Sequence, residues 1–202
     1  MTQSAAEKPF RKDLGHLDWD AVFARQAQRG ALVDAWMEGL QLKPGDRILE
    51  IGSGPGYVSL ALAERVGPAG IVYAVDRSAE ALDYLARLQQ ERSLAQIRRI
   101  LADAASLEAA SVPAESALIT MVLHHAEDPA GLLLALGRLL PPGALAVIGE
   151  FHPAGRCRHG PPREHRLAPE QVQGWCEVAG FAVAVYRRQT PEHYMLVARR
   201  QP

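Results

Sequence analysis

The segment ILEIGSGPGYVSL, residues 48–60, joins an apolar run to three glycines spaced two residues apart. The apolar run predicts a buried strand, and the glycines predict a turn whose backbone comes very close to a neighbouring group or a ligand. In an open α/β sheet, ligands bind outside the carboxyl ends of the strands. The segment therefore predicts a strand, a binding loop and a helix, in that order.

Apolar runs and helical patterns alternate along the rest of the chain. Strands are predicted at 47–51, 71–75, 97–101, 116–122, 144–151, 181–188 and 193–200, and helices at 20–41 with a break near Gly30, 57–66, 79–92, 129–140 and 169–179. Near-continuous apolar strands separated by helices indicate a parallel sheet covered on both faces. Only four residues join the last two strands, so these two must be antiparallel neighbours. The predicted fold is a doubly wound, Rossmann-like α/β fold with a seven-stranded, mostly parallel sheet and an antiparallel last strand.

Length and composition limit the class of protein. The chain has 202 residues, of which 48% are hydrophobic, and we expect one domain over 1–202, with a flexible arm at 1–17 and N-terminal helices at 18–41 over the site. The formal net charge of -1 gives no electrostatic footprint for nucleic acid or an anionic membrane. No secretory signal or membrane span is recognisable, so the expected location is cytoplasmic. Cys157 and Cys176 are too few for a disulfide framework or a four-cysteine zinc site, and no metal is expected.

Three carboxylates mark the predicted strand ends and constrain the ligand. Glu50 precedes the glycines, Asp76 ends the second strand and Asp103 follows the third. The dinucleotide fingerprint is G-x-G-x-x-G, whereas this loop reads G-x-G-x-G and has Tyr57 at the third fingerprint position. Three acids around a crevice repel a diphosphate and suit a cation such as a sulfonium. An NAD-type oxidoreductase is the first alternative.

Several motifs together resemble those of the class I S-adenosylmethionine-dependent methyltransferases, over about residues 30–200. They are LEIGSGPG, YAVDRS, LADA, ITMVLHHAEDP, the LLPPGALAVIGEF turn and strand, the helix that ends in AGF, and the terminal hairpin. The cofactor half is similar to small methyltransferases of the ubiquinone and menaquinone type. The resemblance implies S-adenosylmethionine as cofactor, S-adenosylhomocysteine as product, and an in-line transfer of the methyl group.

The resemblance also implies a set of cofactor-binding residues. The loop would hold the methionyl and ribose parts, Asp76 the ribose hydroxyls, and Asp103 with the Ala104 amide the adenine. Val122 and Leu123 would line the site near the sulfonium. The full implied set is Glu50, Gly52, Ser53, Gly54, Gly56, Tyr57, Asp76, Arg77, Asp103, Ala104, Val122 and Leu123.

A catalytic base is optional, because the methyl donor is already activated and the protein mainly supplies proximity and a dry cavity. The predicted catalytic residues are His124, His125 and Glu150, since an imidazole can remove a proton near neutral pH. Their alternative role is structural, in shaping the site and binding loop amides. His165, His193 and Tyr194 also follow or begin strands and loops near this edge.

The segment 152–166 is predicted to be a ligand-binding loop of unusual composition. Its arginines, Arg156, Arg158, Arg163 and Arg166, would suit an acidic acceptor, or would form a solvated loop. The loop is short for a quinone site, Cys157 stands alone as a thiolate for arsenite chemistry, and LHHA replaces the Asn/Asp-Pro-Pro-Tyr motif of nucleic-acid enzymes. The expected partner is a small molecule. A non-catalytic S-adenosylmethionine-binding protein is the second alternative, and the sequence carries no signal for an oligomeric state.

Overall fold

The structure of the chain is a computed structural model that describes residues 18–156 and 160–202. The predicted arm at 1–17 lies outside the described residues, as do Cys157, Arg158 and His159. Predictions that concern those residues stay predictions.

Strands and helices alternate through most of the described chain. The strands are β1 Arg47–Ile51, β2 Ile71–Asp76, β3 Ile97–Leu101, β4 Ser116–Thr120, β5 Leu145–Phe151, β6 Phe181–Arg188 and β7 His193–Arg200. The α-helices are α1 Trp19–Ala27, α2 Gly30–Gly39, α3 Tyr57–Val66, α4 Ala79–Glu91, α5 Pro129–Leu139 and α6 Pro169–Val178. Short 3₁₀ helices occur at Ala104–Ser106, Ala109–Ser111, Leu123–His125 and Arg163–His165.

The seven strands form one sheet in the order β3-β2-β1-β4-β5-β7-β6. β1 to β5 pair in parallel, whereas β7 is antiparallel to both of its neighbours, β5 and β6. The predicted fold class is therefore confirmed. The strand order reverses between β1 and β4, and the crevice outside their carboxyl ends is where such a fold places a ligand.

Each face of the sheet is covered by its own apolar core. Leu49 and Ile51 of β1 point to the face covered by α5 and α6, and Ile48 points to the face covered by α2, α3 and α4, because side chains alternate along a strand. The first core also contains Leu133, Leu136, Cys176 and Phe181, and the second contains Trp36, Leu60, Leu62 and Leu85.

The predicted break in the first helix is confirmed, since α1 ends at Ala27 and α2 begins at Gly30. A Cβ atom at Gly30 would lie 2.7 Å from the Tyr57 hydroxyl, so a larger residue there would push on α3. The junction between α1 and α2 therefore lies beside Tyr57, the first residue after the glycine-rich loop.

β4 is two residues shorter than the predicted strand at 116–122. Its last residue is Thr120, and Met121 adopts a left-handed conformation with φ of 57° while its N–H still donates to the Gly149 carbonyl at 2.8 Å. The apolar pattern continues past the strand because Leu123 is buried in the core and Val122 packs against that core. The chain turns here into the 3₁₀ helix that carries His124 and His125.

Candidate functional site

A cavity of about 690 Å³ lies at the carboxyl ends of the central strands, between the loops that follow them and helix α1. This volume falls in the range of about 300–1,000 Å³ that is typical of cofactor and small-molecule sites. The structure brings nine of the predicted site residues together on its wall: Gly52, Gly54, Asp76, Arg77, Asp103, Ala104, Val122, His124 and His125.

The glycine-rich loop forms a cradle whose shape excludes side chains. Gly52 has a φ of 73°, and a Cβ atom on it would overlap the Cγ2 atom of Val122. The N–H groups of Gly52 and Ser53 donate to the Val75 carbonyl at 2.8 and 3.1 Å. The loop backbone is thus fixed against β2 and leaves room for the close approach of a ligand.

The two predicted adenosine-binding acids are held in place by backbone amides. The Asp76 carboxylate accepts hydrogen bonds from the N–H groups of Gly54 and Ser78 at 2.7 and 2.8 Å. Asp103 accepts one from the N–H of Ala105 at 2.9 Å. Because a carboxylate offers about four lone-pair sites, each acid retains capacity to accept hydrogen bonds from ligand hydroxyl or amino groups.

The other predicted residues lie behind the cavity wall formed by the described residues. They are Glu50, Ser53, Gly56, Tyr57, Leu123 and Glu150. Leu123 is fully buried in the core, and Gly56 begins α3 with φ of 93° where Leu85 leaves no room for a Cβ atom. These residues shape the wall from behind.

Glu50 is buried directly beneath the glycine loop. Its carboxylate accepts a hydrogen bond from the Ser59 hydroxyl of α3. Burial raises the pKa of Glu50 to about 7, the Ser59 hydrogen bond opposes that shift, and the charge of Asp76 adds to it. Glu50 consequently links β1 to α3, and it does not line the cavity.

Helix α1 contributes Trp19, Val22, Arg25 and Gln26 to the cavity wall, and the sequence did not indicate which of its residues reach the site. Gln26 accepts a hydrogen bond from the Tyr57 N–H at 3.3 Å, and Phe23 packs edge-on to the Tyr57 ring with centroids 5.5 Å apart. Tyr84 of α4 donates to Asp20 at 2.7 Å. The wall residues missed by sequence reasoning include Trp19, Arg25, Gln26, Arg29, Trp36, Met121 and Phe151.

His124 and Glu150 form a buried pair at the end of β5. The His124 Nδ1 atom lies 2.7 Å from a Glu150 carboxylate oxygen, and both side chains are at most 3% exposed. The N–H of Phe151 also donates to Glu150 at 3.2 Å. Burial alone would raise the pKa of Glu150, but the charge and hydrogen bond of His124 and the backbone amides outweigh it and lower the pKa.

An ionised Glu150 fixes the tautomer of its partner. A carboxylate can only accept, so Nδ1 of His124 must carry the proton in this hydrogen bond. A neutral His124 therefore has its lone pair on Nε2, and the residue lies on the cavity wall. His125 packs beside it with ring centroids 4.2 Å apart. The arrangement is suited to receiving a proton.

Two of the four arginines predicted to recognise an acidic ligand from loop 152–166, Arg163 and Arg166, donate to carbonyls of the loop itself. Arg166 is buried, donates to the carbonyls of Pro161 and His152 at 3.0 and 3.4 Å, and lies 3.7 Å from a carboxylate oxygen of Glu192. Arg163 donates to the Pro153 carbonyl at 3.2 Å. Arg163 thus stabilises the loop internally, and Arg166 connects the loop to the β6–β7 turn.

Tyr194 lies near the same edge of the sheet. The Tyr194 hydroxyl donates to the Leu167 carbonyl at 3.1 Å and its ring is fully buried, so burial raises its pKa and it acts in packing.

Within the described residues, no group of three His, Cys, Asp or Glu side chains is arranged to hold a metal ion. Over the same residues, no helix is both long and apolar enough to span a membrane.

The sheet order, the glycine cradle at the strand reversal and the acids after β2 and β3 define the class I fold of S-adenosylmethionine-dependent methyltransferases. Residues 42–199 match the family model described as a methyltransferase domain, and the chain belongs to this family. The resemblance seen in the sequence motifs is thereby confirmed, with S-adenosylmethionine as methyl donor. The match gives no support to the NAD alternative.

Two solved structures and one curated relative illustrate the similarity. An S-adenosylmethionine-dependent methyltransferase from Aquifex aeolicus superimposes with a TM-score of 0.78 at 22% identity, covering 90% of this chain and 98% of that one. The 1,6-didemethyltoxoflavin-N1-methyltransferase of Burkholderia thailandensis, with 1,6-didemethyltoxoflavin and S-adenosylhomocysteine bound, gives 0.69 at 20% identity and covers 91% and 82%. At these identities both show the fold.

The curated relative is the 2-phytyl-1,4-naphtoquinone methyltransferase of Trichormus variabilis. It is 35% identical over 111 residues, which are 54% of this chain and 48% of the relative. The chain spans less than half the length of the curated relatives it matches.

Proposed function

We propose that this domain transfers the methyl group of S-adenosylmethionine to a small-molecule acceptor bound in the same cavity. The observation that carries the proposal is the composition of that cavity. Its wall combines the glycine cradle, Asp76 and Asp103 with His124, which is backed by Glu150. One end suits the cofactor and the other suits an acceptor that must lose a proton.

The residues on the wall fit the cofactor chemically. S-adenosylmethionine supplies an activated methyl group on a positively charged sulfonium. Gly52 and Gly54 admit the ligand close to the backbone, Asp76 with Arg77 would bind the ribose, and Asp103 with the Ala104 amide would bind the adenine. Behind the wall, Glu50 binds Ser59 and Gln26 binds the Tyr57 N–H, which fixes the start of α3 after the loop, and Val122 fills the space beside Gly52.

His124 is the proposed general base, and Glu150 is its positioning residue. His124 would accept at Nε2 the proton that an O–H, N–H or S–H nucleophile loses, and the ionised Glu150 would stabilise the resulting imidazolium. His125 packs on the His124 ring and limits its rotation. A positioned base of this kind contributes roughly 10²–10⁴ in rate.

The identity of the acceptor class is supported by two relatives. One is named for a naphtoquinone substrate and one structure contains 1,6-didemethyltoxoflavin, and both are small organic molecules. Arg163 and Arg166 donate to the carbonyls of Pro153 and Pro161, and the cavity of about 690 Å³ would have to hold both the cofactor and the acceptor. We therefore favour a compact acceptor over a prenylated quinone.

The test is a methyl-transfer assay that follows release of S-adenosylhomocysteine with panels of small phenols, amines, thiols and activated carbon acids. Turnover with at least one compact acceptor, reduced in His124→Gln, supports the proposal. Saturable S-adenosylmethionine binding with no turnover across the panels, in wild type and variant alike, would instead favour a binding protein without catalysis.

A further inference from the structure

The two ends of the cavity differ in charge. Asp76 ends β2 and Phe151 ends β5, and the sheet order places three strand spacings between them, or about 14 Å at roughly 4.8 Å per spacing. Asp103 follows β3, one strand further from Phe151. The Phe151 end is covered by Arg29 at the junction of α1 and α2, with Arg25 four residues earlier on the same cavity wall. The acidic end serves the cofactor, and the basic end is where the acceptor would bind.

Arg29 is held in a geometry that suits a carboxylate. Its guanidinium lies over the Phe151 ring at 5.4 Å from the centroid, and Arg166 lies 5.7 Å from the same centroid. A guanidinium stacked on a ring directs its five N–H donors outward in its own plane, where two of them can bind one carboxylate.

Two buried polar atoms of the β6–β7 hairpin, near this end of the cavity, lack a hydrogen-bond partner among the described residues. One is Nε2 of His193, whose ring packs on Phe151 with centroids 4.9 Å apart. The other is the amide nitrogen of Gln189, whose side-chain oxygen accepts from the cavity residue Trp36 at 2.9 Å. Unsatisfied buried polar atoms are rare, and each calls for an explanation such as a ligand.

The His193 atom is a donor. The Thr190 hydroxyl oxygen already accepts from the N–H groups of Glu192 and His193 at 3.1 and 3.0 Å, so its own proton points to Nδ1 of His193 at 3.0 Å. In the neutral imidazole the ring proton then resides on Nε2. Arg29 and His193 thus both offer N–H donors beside the Phe151 ring, and Gln189 offers a further one beside the cavity residue Trp36.

We propose that the acceptor of this domain carries a carboxylate, which binds Arg29 with His193 and Gln189 as neutral donors behind it, while its nucleophilic group faces His124. The inference rests on the proposed function. The His124 ring and the Arg29 guanidinium lie 5.5 and 5.4 Å from the Phe151 ring, so a one-ring hydroxy acid is large enough to reach both.

The test compares the three hydroxybenzoates with the matching hydroxybenzamides, titrated into the protein saturated with S-adenosylhomocysteine. Trp19 and Trp36 line the cavity and their fluorescence provides the signal. We expect at least one acid to bind tenfold or more tightly than its amide. Arg29→Gln should abolish this preference, and Arg29→Lys should keep part of it because the charge remains. Glu127→Gln, which removes an opposite charge from the same wall, should preserve the preference.

Several results would overturn the inference. Equal binding of acids and amides to the wild type, binding of neither, or an unchanged preference in Arg29→Gln each contradicts a carboxylate subsite. Affinity for S-adenosylhomocysteine is measured beforehand in a separate titration of the free protein, and it reports the fold of each variant; if Arg29→Gln loses it, Arg29→Lys carries the comparison. Failure of the wild type to bind S-adenosylhomocysteine would be a failure of the proposed function instead.

Discussion

Replacing Gly52 by alanine should destabilise the protein and weaken cofactor binding. The new Cβ atom would overlap Cγ2 of Val122 and lie 3.3 and 3.4 Å from its Cγ1 and Cβ atoms, so rotation of the side chain gives no relief. The left-handed φ of 73° costs about 1–2 kcal/mol for a residue other than glycine, and overpacking costs about 1–3 kcal/mol more. We expect a total loss of about 2–5 kcal/mol in the free energy of unfolding.

Gly143→Ala is the matched control for this variant. Gly143 has a φ of 85°, and a Cβ atom there would meet nothing within 4 Å, so only the conformational cost of about 1–2 kcal/mol applies. Urea unfolding of both variants separates the overlap from the backbone strain. If the displaced Gly52 loop costs about 1.4 kcal/mol of binding free energy, the affinity for S-adenosylhomocysteine falls roughly tenfold. Gly143→Ala should leave this affinity unchanged. Equal stability and equal affinity of the two variants would refute the reasoning about the cradle.

Three further perturbations address the buried titratable groups. Glu150→Gln should lower kcat roughly 10²–10⁴-fold with unchanged S-adenosylhomocysteine affinity, because the base His124 loses the carboxylate that fixes its tautomer; an unchanged kcat would count against the pair. Burial raises the pKa of Glu50 to about 7, so its stabilising contribution is full below its unfolded value and is lost as pH rises through 7. Glu50→Gln should therefore gain on the order of 3 kcal/mol relative to wild type in urea unfolding between pH 5 and pH 8, and parallel pH profiles would contradict this. Burial first, and then the charge of Arg29, lowers the pKa of His193 to about 4; Arg29→Gln should raise this pKa in an NMR titration, and an unmoved value would separate the two residues.

Local patterns predicted the sheet and the loop with boundaries that are nearly those of the structure. The strand at 47–51 and the helix at 57–66 match β1 and α3 because an apolar run, three glycines and a helical period are each encoded within a few residues. The antiparallel β7 also followed from a connection too short for a crossover. These features depend on neighbours in the sequence.

The cavity wall was harder to predict because it depends on distant contacts. Gln26 reaches the N–H of Tyr57 across 31 residues, and no period in α1 indicates which of its polar residues does so. His124 and Glu150 were each predicted as candidates. Their hydrogen bond joins residues that are 26 positions apart and follow different strands, so no local pattern indicates it. The sequence similarly suggested Arg166 as a ligand for an acid, whereas burial beside Glu192 commits its guanidinium to the loop.

The most direct measurement is calorimetric titration of the protein with S-adenosylmethionine, S-adenosylhomocysteine and NAD, repeated with Asp76→Ala. Asp46→Ala is the control, since Asp46 also accepts a backbone hydrogen bond, from Lys43 at 2.7 Å, but lies before β1 at the opposite edge of the sheet. The account predicts saturable binding of both adenosyl ligands to the wild type and to Asp46→Ala, loss of that binding in Asp76→Ala, and no binding of NAD. Binding of NAD in place of the adenosyl ligands would contradict it.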